Sequence, residues 1–251
     1  MPEHRDEVSR LIDADRNVHV RYDAPQRGRE WTDALASQVT RIMPQRVLVI
    51  TAGSTDLVHA LAGSIKELFV LDTAGSRLTG LPAGITPVWG DPEVMPLNYD
   101  VFDMVVCQDC MDLFDSALLL DESRRILRRG GYFLYAGRIL PDEDMEGVYD
   151  ELERHLNPLH NDYYLESDLK TFFELKGFED AGMVVCEFRR DLQREREFYR
   201  GFFGESWSGA QALAELSEES RSVLQSQYGY DGNSVTELVC AGLFRRKDIP
   251  A

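Results

Sequence analysis

The sequence predicts an α/β protein built on a doubly wound, mostly parallel sheet, and three observations carry that expectation. Short, wholly apolar runs such as Arg46–Ile50 (RVLVI) and Leu68–Leu71 (LFVL) suit strands buried on both faces. Between them lies a segment with apolar residues at helical spacing, Leu57, Leu61 and Ile65. Strand and helix then alternate as far as Ala136, the rhythm of βαβ units.

Residues 1–28 are polar, and residues 1–45 together read as an amino-terminal arm and helix, a lid. Trp31, Leu35, Val39 and Ile42 predict a helix over Glu30–Ile42, ended by Pro44. The strand Arg46–Ile50 runs into the small-residue turn Thr51–Thr55, followed by a helix over Asp56–Leu68. The second strand closes on Asp72. Residues 73–84 give a short helix and a turn, and the third strand is Ile85–Trp89, followed by Gly90-Asp91-Pro92. Asp103 leads into the fourth strand, Met104–Cys107. A helix over Leu118–Arg128 is broken by Gly130-Gly131 before the fifth strand, Tyr132–Ala136. The carboxyl half loses this rhythm: a helix at Asp168–Lys176, a strand at Gly182–Phe188, a mainly helical stretch, and a last strand at Glu237–Phe244. Two late strands joined in this way suit an antiparallel pair at the sheet's edge.

Composition narrows the function classes. The 251 residues carry 44 acidic and 27 basic side chains, a formal charge of −17, which repels phosphate backbones. A nucleic-acid partner is therefore not expected; the one linear basic cluster, Arg124, Arg125, Arg128 and Arg129, reads as the solvent face of a helix. No run approaches the roughly 18 apolar residues of a membrane helix, and the charged opening MPEHRDEVSR does not read as a secretory signal. A cytoplasmic location is the expectation. Cys107 and Cys110 form a C-x-x-C without a second pair or a histidine at ligand spacing, so no metal is expected.

Five segments in order resemble the class I S-adenosylmethionine-dependent methyltransferases over about Arg46 to Lys247. They are VLVITAGST, LFVLDTAGSRL, GDPEVMPLNYDVFDMVVCQDCMDLF, RRILRRGGYFLYAGR and YLESDLKTFFELKGFEDAGMVV. The resemblance implies a Rossmann-like, seven-stranded sheet, mostly parallel with an antiparallel edge strand. The methyltransferase-like domain would span 46–247, with helical inserts at about 137–165 and 192–235. It also implies S-adenosylmethionine as cofactor, held beyond the strands' carboxyl ends. Thr51, Ala52 and Gly53 would pass its sugar and amino-acid end. Asp72 would accept from the two ribose hydroxyls. Asp91 would accept from the adenine amino group, with Pro92 or Val94 packing on the ring. Gln108 and Asp109 would face the methionine part.

The first motif departs from the family's pattern, commonly acid-x-Gly-x-Gly-x-Gly. Here it reads Val49-Ile-Thr51-Ala-Gly53-Ser-Thr55, with one glycine of three and valine at the acid position. A non-glycine residue forced left-handed costs about 1–2 kcal/mol, and a lost polar partner roughly 1–3 kcal/mol. Together these weaken binding by about two to three powers of ten.

Two function classes follow. The first is a methyltransferase acting on a small-molecule acceptor; in-line transfer from a sulfonium needs positioning and no nucleophilic side chain. The second is an inactive relative that binds a partner or ligand. For the acceptor side, the inserts supply Arg138, His155, His160, Tyr163 and Tyr164, then Tyr199, Phe202, Phe203 and Trp207. An aromatic-rich wall with one histidine as base suits a small, partly apolar molecule, and His160 is the candidate base. A protein partner or a second copy of the chain is the alternative occupant of the 192–235 segment.

Overall fold

The computed structural model describes residues 24–52, 55–73, 75–144, 147–157, 160–161, 163–203, 214 and 216–248. Its described strands form one seven-stranded sheet. In chain order the elements are α1 (Ala24–Arg41), β1 (Arg46–Ile50), α2 (Asp56–Leu61), β2 (Glu67–Asp72) and β3 (Ile85–Trp89). There follow β4 (Phe102–Gln108), α3 (Ser116–Ile126), β5 (Leu127–Ile139), α4 (Val148–Leu156) and α5 (Glu166–Leu175). The last are β6 (Phe178–Asp191), α6 (Leu192–Phe203), α7 (Glu218–Tyr228) and β7 (Ser234–Arg246).

The spatial order is β3-β2-β1-β4-β5-β7-β6. Strands β1 to β5 pair in parallel, and β7 runs antiparallel between β5 and the edge strand β6. The order reverses at β1, so β1 and β4 bound the crevice where a doubly wound sheet receives its ligand.

The apolar runs form the central strands because both of their faces are covered. Leu48 and Ile50 of β1 turn toward Leu119 and Leu120 of α3 and Phe173 of α5. Val47 and Val49 turn the other way, toward Trp31, Leu35 and Val39 of α1 and Leu57 and Leu61 of α2. This two-residue alternation between two helical layers makes every residue of RVLV apart from its arginine a core residue. Edge strand β3, by contrast, exposes Thr86 and Pro87, and proline is tolerated there because its missing N–H faces no further strand. A third apolar cluster joins Leu140, Tyr149, Leu152, Leu192, Leu224 and Val235. It holds the carboxyl-half helices over the sheet's carboxyl edge. No described helix is long and apolar enough to cross a membrane.

Several boundaries differ from the sequence expectation. Helix α1 starts six residues earlier, at Ala24 rather than Glu30, because two helical pieces meet at Gly28 (φ 67°), a left-handed conformation that glycine takes without strain. Helix α2 ends at Leu61 rather than Leu68, since Ala62 leaves the helical region (ψ 128°) and residues 62–64 turn. Helix α3 stops at Ile126, two residues before Arg128, and Gly130-Gly131 lies inside β5, where the ladder to β4 shifts register. A Cβ on Gly131 would stand 2.8 Å from the Arg128 carbonyl oxygen. Strand β6 runs fourteen residues, well past the expected Gly182–Phe188, because β7 pairs along all of it. The arginine cluster disperses. Arg125 lies over the Tyr99 ring, 4.7 Å from its centroid, and bonds Glu122 and the Leu97 and Met95 carbonyls. Arg128 pairs with Asp103 at 2.8 Å.

Candidate functional site

Each described residue read from the family motifs falls at the carboxyl end of a strand or just beyond it. The Thr51 N–H donates to the Leu71 carbonyl at 3.1 Å, carrying the β1–β2 ladder one residue past β1. Thr51 and Ala52 are buried, and Gly53 lies outside the described residues. Asp72 ends β2 with only 1% of its surface exposed. Gly90 donates to its carbonyl at 3.2 Å, tying the turn after β3 against it. Asp91 shapes that turn: its Oδ1 accepts from the Glu93 N–H at 2.9 Å and its carbonyl from the Val94 N–H at 3.0 Å. Pro92 is buried, whereas Val94 is exposed.

Gln108 ends β4 and Asp109 follows with φ 50°. Such a left-handed non-glycine residue is strained, and strain of this kind collects at functional sites. Because β3, β2, β1 and β4 are consecutive neighbours, all these groups share one edge of the sheet. Two buried polar atoms here lack a protein partner, Thr73 Oγ1 beyond β2 and Gln108 Oε1 at the end of β4. A nucleoside with an amino-acid tail fits these residues: a buried carboxylate for its diol and unpaired polar atoms along its length.

On the acceptor side, beyond β4 and β5, the described residues form a chain of ionic contacts. The Arg27 guanidinium on α1 pairs with Asp109, and its Nε donates to Glu237 of β7 at 2.9 Å. Glu237 also pairs with Arg138 of β5, whose Nη1 donates to Glu153 of α4 at 3.1 Å. Glu153 pairs in turn with Arg190 of β6, and Arg190 with Glu195 of α6. None of these side chains except Asp109 exceeds 3% exposure. Burial alone would lower the pKa of Arg27; Asp109 and Glu237 outweigh it and raise it.

His160 is also buried, with Nε2 2.7 Å from Asp150 and Nδ1 3.2 Å from Asp112. Burial would lower its pKa, but the bonds to Asp112 and Asp150 prevail and push it up to about 9. Both ring nitrogens thus face carboxylates, an arrangement that favours the imidazolium, whereas the sequence suggested a histidine base near its natural pKa.

Between the two ends lies a cavity of about 10 Å³ lined by Asp109, Asp112, Tyr135, Gly137, Arg138 and Tyr163 among others. It has room for one water-sized group. Arg138 and Tyr163 line this cavity, while Tyr164 stacks on Phe172 at 4.9 Å, within the core packing. His155 is half-buried on α4. The side chains of Tyr199, Phe202 and Phe203, all of Trp207, and residues 1–23 of the arm lie outside the described residues.

Sequence reasoning missed Arg27, Glu153, Arg190, Glu195 and Glu237. One signal was present: Glu237 stands directly before the apolar run LVCAGLF. The C-x-x-C is a strand end entering a loop; its two sulfurs lie 3.5 Å apart and buried, and the bond to Cys107 together with burial raises the Cys110 thiol well above its ordinary pKa. No group of three or more ligating residues among those described is placed to hold a metal ion.

Comparison with known proteins gives the same fold. The family model described as a methyltransferase domain matches residues 49–135. A putative methyltransferase from Bacillus halodurans superposes with a TM-score of 0.73 at 18% identity, covering 86% of this chain and 98% of its own. The YcgJ protein from Bacillus subtilis gives 0.67 at 17% identity, with 86% and 99% covered. A putative sarcosine dimethylglycine methyltransferase from Galdieria sulphuraria gives 0.60 at 16% identity, with 97% and 98% covered. No curated protein sequence matches the chain. The chain therefore has the Rossmann-like α/β fold of the class I methyltransferases, and its residues 49–135 match the methyltransferase-domain model.

Proposed function

We propose that this protein is an S-adenosylmethionine-dependent methyltransferase acting on a small molecule. The observation that carries the reading is the row of groups at four adjacent strand ends, Thr51, Asp72, Asp91 and Gln108, with the Asp72 carboxylate already buried. A carboxylate at that place suits a ribose diol, because its two oxygens can accept from two hydroxyls. When bound, the cofactor would supply an electrophilic methyl on a sulfonium. The chain's own work is to hold that methyl in line with the acceptor and to exclude water.

The acceptor's reacting group would enter the water-sized cavity beside Asp109, Asp112, Tyr135 and Tyr163. Carboxylates, phenols and the buried ionic chain suit a polar group there better than the partly apolar one first expected. The overall charge of −17 favours a small molecule over nucleic acid. Isothermal titration with S-adenosylmethionine and S-adenosylhomocysteine tests the reading. Binding at micromolar to sub-millimolar ligand supports it, and no heat at millimolar ligand overturns it.

Two observations favour the second reading, a relative that has lost the cofactor and binds another ligand or partner. The first motif lacks two glycines, and Arg27 already occupies the Asp109 carboxylate. The same titration separates the two, since a relative that had lost the cofactor would show no heat.

A further inference from the structure

Strand β3 ends in a large aromatic ring that the core does not use. Trp89 is 74% exposed. It is the register partner of Asp72 in the parallel β2–β3 ladder, so both side chains leave the same face of the sheet at the same level.

The indole is nevertheless held in place. Its Nε1–H donates to the Thr73 carbonyl at 3.0 Å. The ring also covers Gly75, where a Cβ would meet three of its atoms at 3.6 to 3.8 Å. One edge and one face are thereby fixed by the residues that follow Asp72, and the rest of the ring meets solvent. Thr73, which anchors it, carries a buried hydroxyl oxygen without a partner. Pro92, expected to pack on the adenine, is itself buried.

We infer that Trp89 is a stacking wall for the adenine of the cofactor, a positioning residue beside the ribose carboxylate Asp72. The inference rests on the cofactor reading above and adds a residue that the motifs do not contain. A base joined to a ribose held at Asp72 lies within a few ångströms of that carboxylate. An oriented indole at the same level offers it a flat apolar face.

The test uses the full chain and S-adenosylhomocysteine as probe, with calorimetry and tryptophan fluorescence on wild type, Trp89→Ala and Trp89→Phe. The expected result is quenching in wild type that disappears in Trp89→Phe. Affinity should fall roughly 10- to 100-fold in Trp89→Ala, the range a base stacked on an aromatic ring supplies. Trp89→Phe, which keeps a flat ring, should stay within about threefold of wild type. Because the side chain is exposed, both variants should melt with the wild type, and their melting curves check this. Wild-type affinity in Trp89→Ala, or undiminished quenching in Trp89→Phe, overturns the Trp89 assignment while leaving the cofactor reading intact. An absence of binding by the wild type overturns the cofactor reading and this inference with it.

Discussion

Arg27, on the amino-terminal helix, donates to the carboxylate of Asp109, the residue that follows β4. The two are 82 positions apart in sequence, and Arg27 lies one residue before the break at Gly28. Through this pair, and through Glu237, α1 is tied to the sheet edge where the reacting groups would meet.

Arg27→Gln should therefore destabilise the fold by about 3–5 kcal/mol, the cost of leaving buried carboxylates without their cation. Urea unfolding measures it, and faster hydrogen exchange in α1 should accompany the loss. A cost below about 1 kcal/mol would mean that water reaches Asp109 and Glu237 and that the helix is not latched.

Glu237 gives the same cluster an acid limit. Burial would raise its pKa, but Arg27 and then Arg138 outweigh burial and hold it below the ordinary carboxylate range. The stabilisation is complete above the unfolded carboxylate pKa of about 4.3 and is lost as the pH falls below it. Glu237→Gln should melt lower than wild type at pH 7, and the gap should narrow steadily in acid. A gap that does not change between pH 7 and pH 3 would show that Glu237 is not ionised in the fold.

His160 has the opposite pH dependence. With a folded pKa of about 9, its contribution is fully present below the unfolded value of about 6.5 and is lost as the pH climbs through about 9. Relative to His160→Gln, the wild type should lose up to about 3 kcal/mol over that interval. Titration of the ring by NMR checks the midpoint directly, and a midpoint at or below 6.5 would restore His160 as a candidate base.

How much of this was legible in the sequence depended on the range of the interaction. RVLVI, LFVL and the run ending at Cys107 declare buried strands because burial on both faces demands unbroken apolar residues, a local property. Asp72 was visible because it closes such a run, and Asp91 because it stands in the Gly-Asp-Pro turn after the third strand. Helix ends were less legible: nothing in the apolar pattern through Ile65 distinguishes a helix continuing to Leu68 from one ending at Leu61, and Ile65 is buried in either case. The ionic chain was not legible at all. Arg27 and Glu237 are 210 residues apart, and a charge reveals its partner only after folding. His160 was noticed as a base because its neighbours Asp112 and Asp150, which make it an acid, come from separate segments.

The stacked pair Phe173–Phe244 offers a test of the core that leaves the site untouched. Their centroids lie 3.7 Å apart with planes within 8°, joining α5 to β7, and both rings are buried. Phe173→Ala should cost about 3–5 kcal/mol. The urea midpoint should fall with an unchanged slope, because the same surface is exposed on unfolding. A loss under about 1 kcal/mol would show that the neighbouring Phe133 and Phe178 collapse into the space.

Asp72 and Asp91 should separate in a binding experiment, although the sequence presents them as equals. Asp72 is buried at its strand end, where a carboxylate can accept from both hydroxyls of a diol. Asp91 spends Oδ1 on the Glu93 N–H and part of its strength on holding the turn. An asparagine at 72 keeps the shape but offers one acceptor oxygen to two hydroxyls, one bond fewer. Asp72→Asn should therefore weaken S-adenosylhomocysteine binding roughly 10- to 100-fold, equivalent to about 1–3 kcal/mol. Asp91→Asn, which retains an oxygen for the turn, should lose less than about tenfold. Titration calorimetry on both variants decides between them. Equal losses would place the adenine contact on a par with the ribose contact, and no loss at Asp72 would mean that the nucleoside lies elsewhere on the sheet edge.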